Sequence, residues 1–128
     1  SELKGIIFAP SNPFLSIEPI LRVAETRLAI QKVNVPKIAI SPIVNGASVK
    51  GPTDKIMAEL GMEINNFSIV QQYKNLLTHL IIDQTDGSCA NEIENLGLNV
   101  CIHNTLMKNL SDKIKLAEMT LMAVSEAQ

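Results

Sequence analysis

The chain has 128 residues, 46% of them hydrophobic, enough for one buried core and room for a single domain. A formal charge of -2 and a pI near 5.6 exclude the dense basic face with which nucleic-acid binders displace counterions from phosphates. Aromatic residues make up only 3% and tryptophan is absent, so Ile, Leu, Val, Ala and Met must build the core, as in a helix-covered parallel sheet.

Leu3 to Ala9 reads as the first strand, and its run Gly5-Ile6-Ile7-Phe8-Ala9 feeds the loop Pro10-Ser11-Asn12-Pro13-Phe14-Leu15-Ser16-Ile17. Ile17, Ile20, Leu21, Ala24, Leu28 and Ala29 recur at helical spacing and predict one helix to about Val33, ended by Asn34 and Pro36. Lys37 to Ile40 is the second strand. The loop after it, Ser41 to Pro52, contains Gly46, Lys50 and Gly51, and Pro52 opens a helix that buries Ile56, Met57 and Leu60 before Gly61 caps it.

A further helix from about Ser68 to Asn75 leads into Leu77 to Asp83, the third strand. Asp86 or Ser88 is expected to cap the next helix, with Ala90, Ile93 and Leu96 as its inner stripe and Gly97 as its stop. Leu98 to Ile102 is the fourth strand, and Ser111 caps a last helix in which Ile114, Leu116, Ala117, Met119 and Leu121 are apolar. The order implies right-handed crossovers and an α/β fold of three layers, a mostly parallel four-stranded sheet with helices on both faces. The first strand begins almost at residue 1, so another polypeptide segment or another subunit is expected beside it, since a bare edge strand invites pairing.

In such a sheet, ligands bind beyond the carboxyl ends of the strands, where both polar loops fall. Ser11, Asn12 and Ser16, stiffened by Pro10, Pro13 and Pro19, precede a helix whose free N–H groups and positive end attract phosphate. Gly46 and Gly51 open the backbone conformation of the second loop, and Lys50 supplies a flexible point charge for an oxygen anion. The plainer alternatives are an Asx-type turn with an ordinary cap at Ser16 and a solvated Lys50, because the full phosphate-loop pattern is absent. Asp83 and Asp86 read as a strand-end turn and a helix cap, or as contacts to a magnesium ion or a hydroxyl. His79 reads as a satisfied, half-buried histidine, while His103, Asn104 and Thr105 lie at the ligand edge.

Cys89 and Cys101 lack the close spacing of a redox or zinc pair and are expected to be reduced and partly buried. Nothing at the N-terminus reads as a signal peptide and no apolar run reaches the roughly 18 residues of a membrane span, so a cytoplasmic location without membrane contact is expected.

Ala9-Pro10-Ser11-Asn12-Pro13 with Ser16-Ile17 and Pro19-Ile20-Leu21, then Ser41-Pro42-Ile43 with Gly46 and Lys50-Gly51-Pro52, and finally Asn104-Thr105-Leu106-Met107 together resemble the 2-phospho-L-lactate transferases of deazaflavin coenzyme biosynthesis. The resemblance covers essentially the whole chain and corresponds to the C-terminal part of the family's Rossmann-like domain, so residues 1–128 are expected to be that part. It implies transfer of a phospholactyl-type group from a guanosine-diphosphate-activated donor, with lactate, phosphoenolpyruvate or a related acid as the acyl portion, to the hydroxyl of the deazaflavin precursor. It also implies magnesium, with ligands outside this chain, while a homo-oligomer is expected from the exposed sheet edge. Its substrate-binding residues fall on Ser11, Asn12, Pro13, Ser16, Ser41, Gly46, Lys50, Gly51, Asp83, Asp86 and Thr105, and it assigns no catalytic group. Asn45 stands where the family often has Gly, and Asn104 where it usually has Asp. A non-catalytic nucleotide or nucleotide-sugar sensor of the same fold is the alternative from another functional class.

Overall fold

The computed structural model describes residues 2–10, 17–48, 53–61, 63, 65–73 and 75–127. Four strands form one sheet: β1 (Ile6–Phe8), β2 (Lys37–Ile40), β5 (His79–Asp83) and β6 (Asn99–His103), adjacent in that order. Every pairing is parallel, in registers that set Ile7 beside Ile38, Ala39 beside Leu80 and Asp83 beside His103. Between β2 and β5 lies a small antiparallel hairpin, β3 (Ile43–Val44) and β4 (Ala47–Ser48).

Strand alternation divides the core in two. Phe8, Ala39, Leu80 and Ile82 face one side with Met57, Ile69, Tyr73 and Ile93, which come from α3 (Thr53–Glu59), α4 (Asn66–Tyr73) and α5 (Ala90–Glu94). Ile38, Ile40 and Ile81 face the other, beneath Leu116, Ala123 and Val124 of α6 (Leu110–Glu126). Full burial of a large aliphatic side chain contributes about 1.5–3 kcal/mol, and Ile38, Leu80, Ile81 and Ile82 are completely buried, so the two central strands anchor both layers. Gly5, just before β1, lies so close under α6 that a Cβ there would stand 2.8 Å from a Val124 methyl carbon. The expected α/β architecture, with helices on both faces of the sheet, is thus present and wholly parallel.

Several elements differ from their sequence patterns. The single helix expected from Ile17 to Val33 is two, α1 (Glu18–Leu21) and α2 (Ala24–Lys32), because Val23 takes extended geometry (φ -70, ψ 106) at the N-cap of the second. The break lets Leu21 and Ile30 both pack inward, while Ile20 and Leu28 stay more than half exposed. Leu60 and Leu96, also expected inside, are exposed because each sits at the end of its helix beside a glycine stop. Those stops are real, for Gly61 and Gly97 have φ of 71 and 92. The side chains of Ala24 and Ile56 lie outside the description.

Two caps move as well. Asn109, not Ser111, caps α6 by accepting the Asp112 N–H, and α5 follows Cys89 with no side-chain cap. Ahead of α5 a 3-10 turn spans Gln84–Cys89, and Asp83, rather than Asp86 or Ser88, caps it by accepting the Thr85 N–H. β1 is shorter than Leu3 to Ala9, β5 starts at His79 rather than Leu77, and β6 runs one residue later than expected.

Candidate functional site

All four strands point their carboxyl ends to one edge, and the described candidate residues collect there through a set of braces. β5 delivers Asp83, 2% exposed, with its carboxylate turned into the frame. Its Oδ2 accepts the Thr85 N–H at 3.0 Å and the Thr85 hydroxyl at 2.6 Å. Its Oδ1 accepts the Thr105 N–H at 2.9 Å and the Thr105 hydroxyl at 3.1 Å. Four donors match the acceptor capacity of an ionised carboxylate. Burial alone would push this carboxyl up, but the bonds from Thr85 and Thr105 outweigh it and hold it below its ordinary value.

The β3–β4 hairpin is fastened to the same node. Asn45 and Gly46 form its turn with φ of 52 and 74, the mirror-image geometry that Asn-Gly pairs favour. The Asn45 N–H donates to Thr85 Oγ1 and to Asp86 Oδ2, both at 2.9 Å, and the Gly46 N–H donates to Asp86 Oδ1 at 3.1 Å. Thr85 therefore accepts from the hairpin and donates to Asp83, which joins the hairpin to the ends of β5 and β6.

A second, buried chain of contacts runs beneath. Ser41, at the end of β2, donates its hydroxyl to Asn66 Oδ1 and accepts the Ile43 N–H at 3.1 Å. Asn66, 2% exposed at the start of α4, approaches Cys89 Sγ with its amide at 3.8 Å, and the Cys89 thiol donates to the Asp86 carbonyl at 3.0 Å. Burial pushes the Cys89 thiol up, so it stays protonated and serves as a donor. Cys89 and Cys101 are both free and partly buried, in keeping with their spacing.

Ser41, Gly46, Asp83, Asp86 and Thr105 are thus brought to one edge, and each makes a hydrogen bond within the frame. Ser41 and Thr105 are buried, at 1% and 5% exposure. Ser11, Asn12, Pro13, Ser16, Lys50 and Gly51 lie outside the described residues. Asn104 closes a local turn by accepting the Leu106 N–H at 3.1 Å. The sequence reading missed Asn45, Asn66 and Cys89 as bracing groups. Only the first had a legible signal, an Asn-Gly pair directly after the apolar Ile43-Val44.

Asp83 does not fit a magnesium ion, since its two oxygens already accept four donors, and although Asp86 accepts only two, no cluster of three or more potential ligands occurs among the described residues. His79 sits at the opposite end of the sheet, half-buried, with Nδ1 2.7 Å from the Thr78 hydroxyl, and burial lowers its pKa. It lines a groove of about 860 Å³ with Thr78, Asn99 and Cys101 that contains none of the candidate residues. Among the described residues no helix is long and apolar enough to cross a membrane.

Comparison with known proteins agrees with the motif reading. A family model described as 2-phospho-L-lactate transferase CofD matches residues 2–122. The chain is 38% identical over 116 residues to the 2-phospho-L-lactate transferase of Methanothermobacter thermautotrophicus, a match covering 91% of this chain and 37% of that protein. It is 37% identical over 113 residues to the enzyme of the same name from Methanocaldococcus jannaschii, covering 88% and 35% of the two. A phosphoenolpyruvate transferase of Streptomyces griseus is 32% identical over 124 residues, covering 96% of this chain and 39% of that protein. The chain spans little more than a third of the length of these curated relatives.

Proposed function

The chain belongs to the 2-phospho-L-lactate transferase family, and from that premise we propose that it forms part of an enzyme moving a phospholactyl-type group from a guanosine-diphosphate-activated donor to the hydroxyl of the deazaflavin precursor. The observation that carries the reading is the family match over residues 2–122. The braced carboxyl-end edge supports it, because that is where a parallel sheet presents ligand loops.

In the proposed reaction the acceptor hydroxyl oxygen bonds to the phosphorus that carries the lactyl-type group and loses its proton to solvent, while the bond from that phosphorus to the bridging oxygen breaks and guanosine monophosphate leaves with the electron pair. Such a displacement depends on positioning and on neutralising charge spread over the phosphate oxygens. Lys50 supplies that charge, and Ser11, Asn12 and Ser16 orient the donor together with the backbone N–H groups of the two loops. Asp83, Asp86, Ser41 and Thr105 act one step back, by holding the strand ends and the hairpin that lead into the second loop. Magnesium, in this reading, would take its ligands mainly from other parts of the family polypeptide, because no cluster of three or more potential ligands occurs among the described residues. Relatives named for 2-phospho-L-lactate and for phosphoenolpyruvate match at 38% and 32% identity, so either acid is a candidate for the transferred group.

The test is calorimetric titration of a full-length family polypeptide in which this chain replaces the matched stretch of the M. thermautotrophicus relative. Guanosine diphosphate and the deazaflavin precursor should both bind, and Lys50→Ala should weaken the diphosphate by about tenfold or more, the scale of a lost charge-assisted contact. A folded chimera that binds neither ligand contradicts the transferase reading and favours a sensor of another ligand.

A further inference from the structure

We propose that Thr85, which is outside the candidate residues, is a positioning residue for the phosphate donor. Its hydroxyl sets where the β3–β4 hairpin, and with it the loop that continues to Lys50, stands against the sheet. The proposal rests on the transferase reading and deepens it by naming what holds the second loop in place.

The hairpin is short, with two residues in each strand. Fully buried Ile43 anchors its start. Among the described residues, its turn is tied to the sheet edge only by the Asn45 and Gly46 N–H groups. Their acceptors, Asp86 and Thr85, are not equivalent. Asp86 sits inside the 3-10 turn with non-helical geometry (φ -108, ψ 16), and both its carboxylate oxygens face the hairpin. Thr85 instead donates its hydroxyl to Asp83, the last residue of β5, at 2.6 Å, and its N–H to the same oxygen at 3.0 Å. Among the described residues it is the one side chain that bridges the hairpin turn and a strand of the sheet.

The sense of that bridge is fixed by chemistry. A carboxylate only accepts, so the Thr85 hydroxyl proton lies on the Asp83 bond and the oxygen is left to accept the Asn45 N–H at 2.9 Å. The Asp83 end is itself held, because its other oxygen accepts the Thr105 N–H and hydroxyl. A fixed point of the sheet therefore reaches the turn through one oxygen atom. Beyond the turn, β4 ends at Ser48, and two extended residues span at most about 7 Å, so the position of Lys50 follows that of the hairpin. A misplacement of about 1 Å is enough to spoil the alignment of a charged group with phosphate oxygens. Thr85 is exposed, so exchanging its side chain does not open the core.

Thr85→Val keeps the shape and loses both hydrogen bonds of the hydroxyl, while Thr85→Ser keeps both. In the full-length chimera, Thr85→Val should raise KM for the guanosine-diphosphate-activated donor about threefold to tenfold, the scale of one hydrogen bond. KM for the deazaflavin precursor should not change, and Thr85→Ser should restore the donor value. A merely structural role would lower kcat through loss of folded enzyme and leave both KM values as they were. That result overturns the proposal, as does Thr85→Ser behaving like Thr85→Val. Amide exchange in the 128-residue chain adds a readout that needs no ligand. The Gly46 N–H donates to Asp86 and not to Thr85, so its exchange quickens in Thr85→Val only if the whole turn is released. Exchange should rise about threefold or more at both Asn45 and Gly46, and return in Thr85→Ser; a change confined to Asn45 overturns the proposal. An unsubstituted chimera that turns over no donor, with this exchange pattern intact, contradicts the transferase reading and the donor role together, while the hold of Thr85 on the hairpin stands.

Discussion

Asp83 concentrates the polar chemistry of the sheet's carboxyl edge into one carboxylate with four donors. Asp83→Asn keeps the shape but swaps an acceptor oxygen for an N–H group facing those donors, so a loss of about 2–3 kcal/mol is expected in urea unfolding. Unchanged stability would mean the four contacts are not made. Asn66 is its buried counterpart, and Asn66→Ala strands the Ser41 hydroxyl at a cost of about 2 kcal/mol by the same measurement. Tyr73 offers a direct spectroscopic check, being the only tyrosine in a chain without tryptophan. It packs against Phe8 with ring centroids 5.1 Å apart, and burial pushes its pKa up to about 12. Its ultraviolet titration should begin well above the ordinary value near 10. The stability it contributes is fully present below about pH 10 and is lost as pH rises toward 12.

At the scale of elements, the hairpin shows how the edge is shaped. A Cβ on Gly46 would meet nothing within 4 Å, so Gly46→Val should cost only the strain of its positive φ, about 1–2 kcal/mol. Asp86→Ala should instead free the Gly46 amide and leave the Asn45 amide with Thr85 alone, read as faster hydrogen exchange at Gly46 above all while β2 and β5 stay protected. The central strands were legible because Lys37 to Ile40 and Leu80 to Ile82 are apolar on both faces or nearly so, the pattern of a strand covered on two sides. The hairpin was overlooked because reading Ser41 to Pro52 as one polar loop hid its Asn-Gly turn. Helix stripes misled at Ile20, Leu28, Leu60 and Leu96, where apolar periodicity continues past the surface that the sheet covers. The braces through Asn66, Thr85 and Cys89 join residues more than twenty apart or depend on a 3-10 turn, and no local pattern encodes them.

Across the whole molecule, the two ends of β5 carry groups that titrate in different ranges. His79, at the amino end, is held neutral by burial, so its contribution is present above about pH 6.5 and is lost as pH falls through its lowered pKa. Asp83, at the carboxyl end, contributes above about pH 3.9 and that stability is lost only as pH falls through its own lowered value. Acid destabilisation should therefore show an early component absent from His79→Gln and a later one absent from Asp83→Asn. Both ends belong to one parallel sheet, whose braced carboxyl edge is the one we propose to face a phosphate-bearing donor. The most direct test of that account is the rate of phospholactyl transfer to the deazaflavin precursor by the full-length chimera, with and without Lys50→Ala. The account predicts transfer by the unsubstituted chimera and a fall in kcat/KM of about 10²–10³ on removing the lysine; a folded chimera that transfers nothing, or transfers equally well without Lys50, contradicts it.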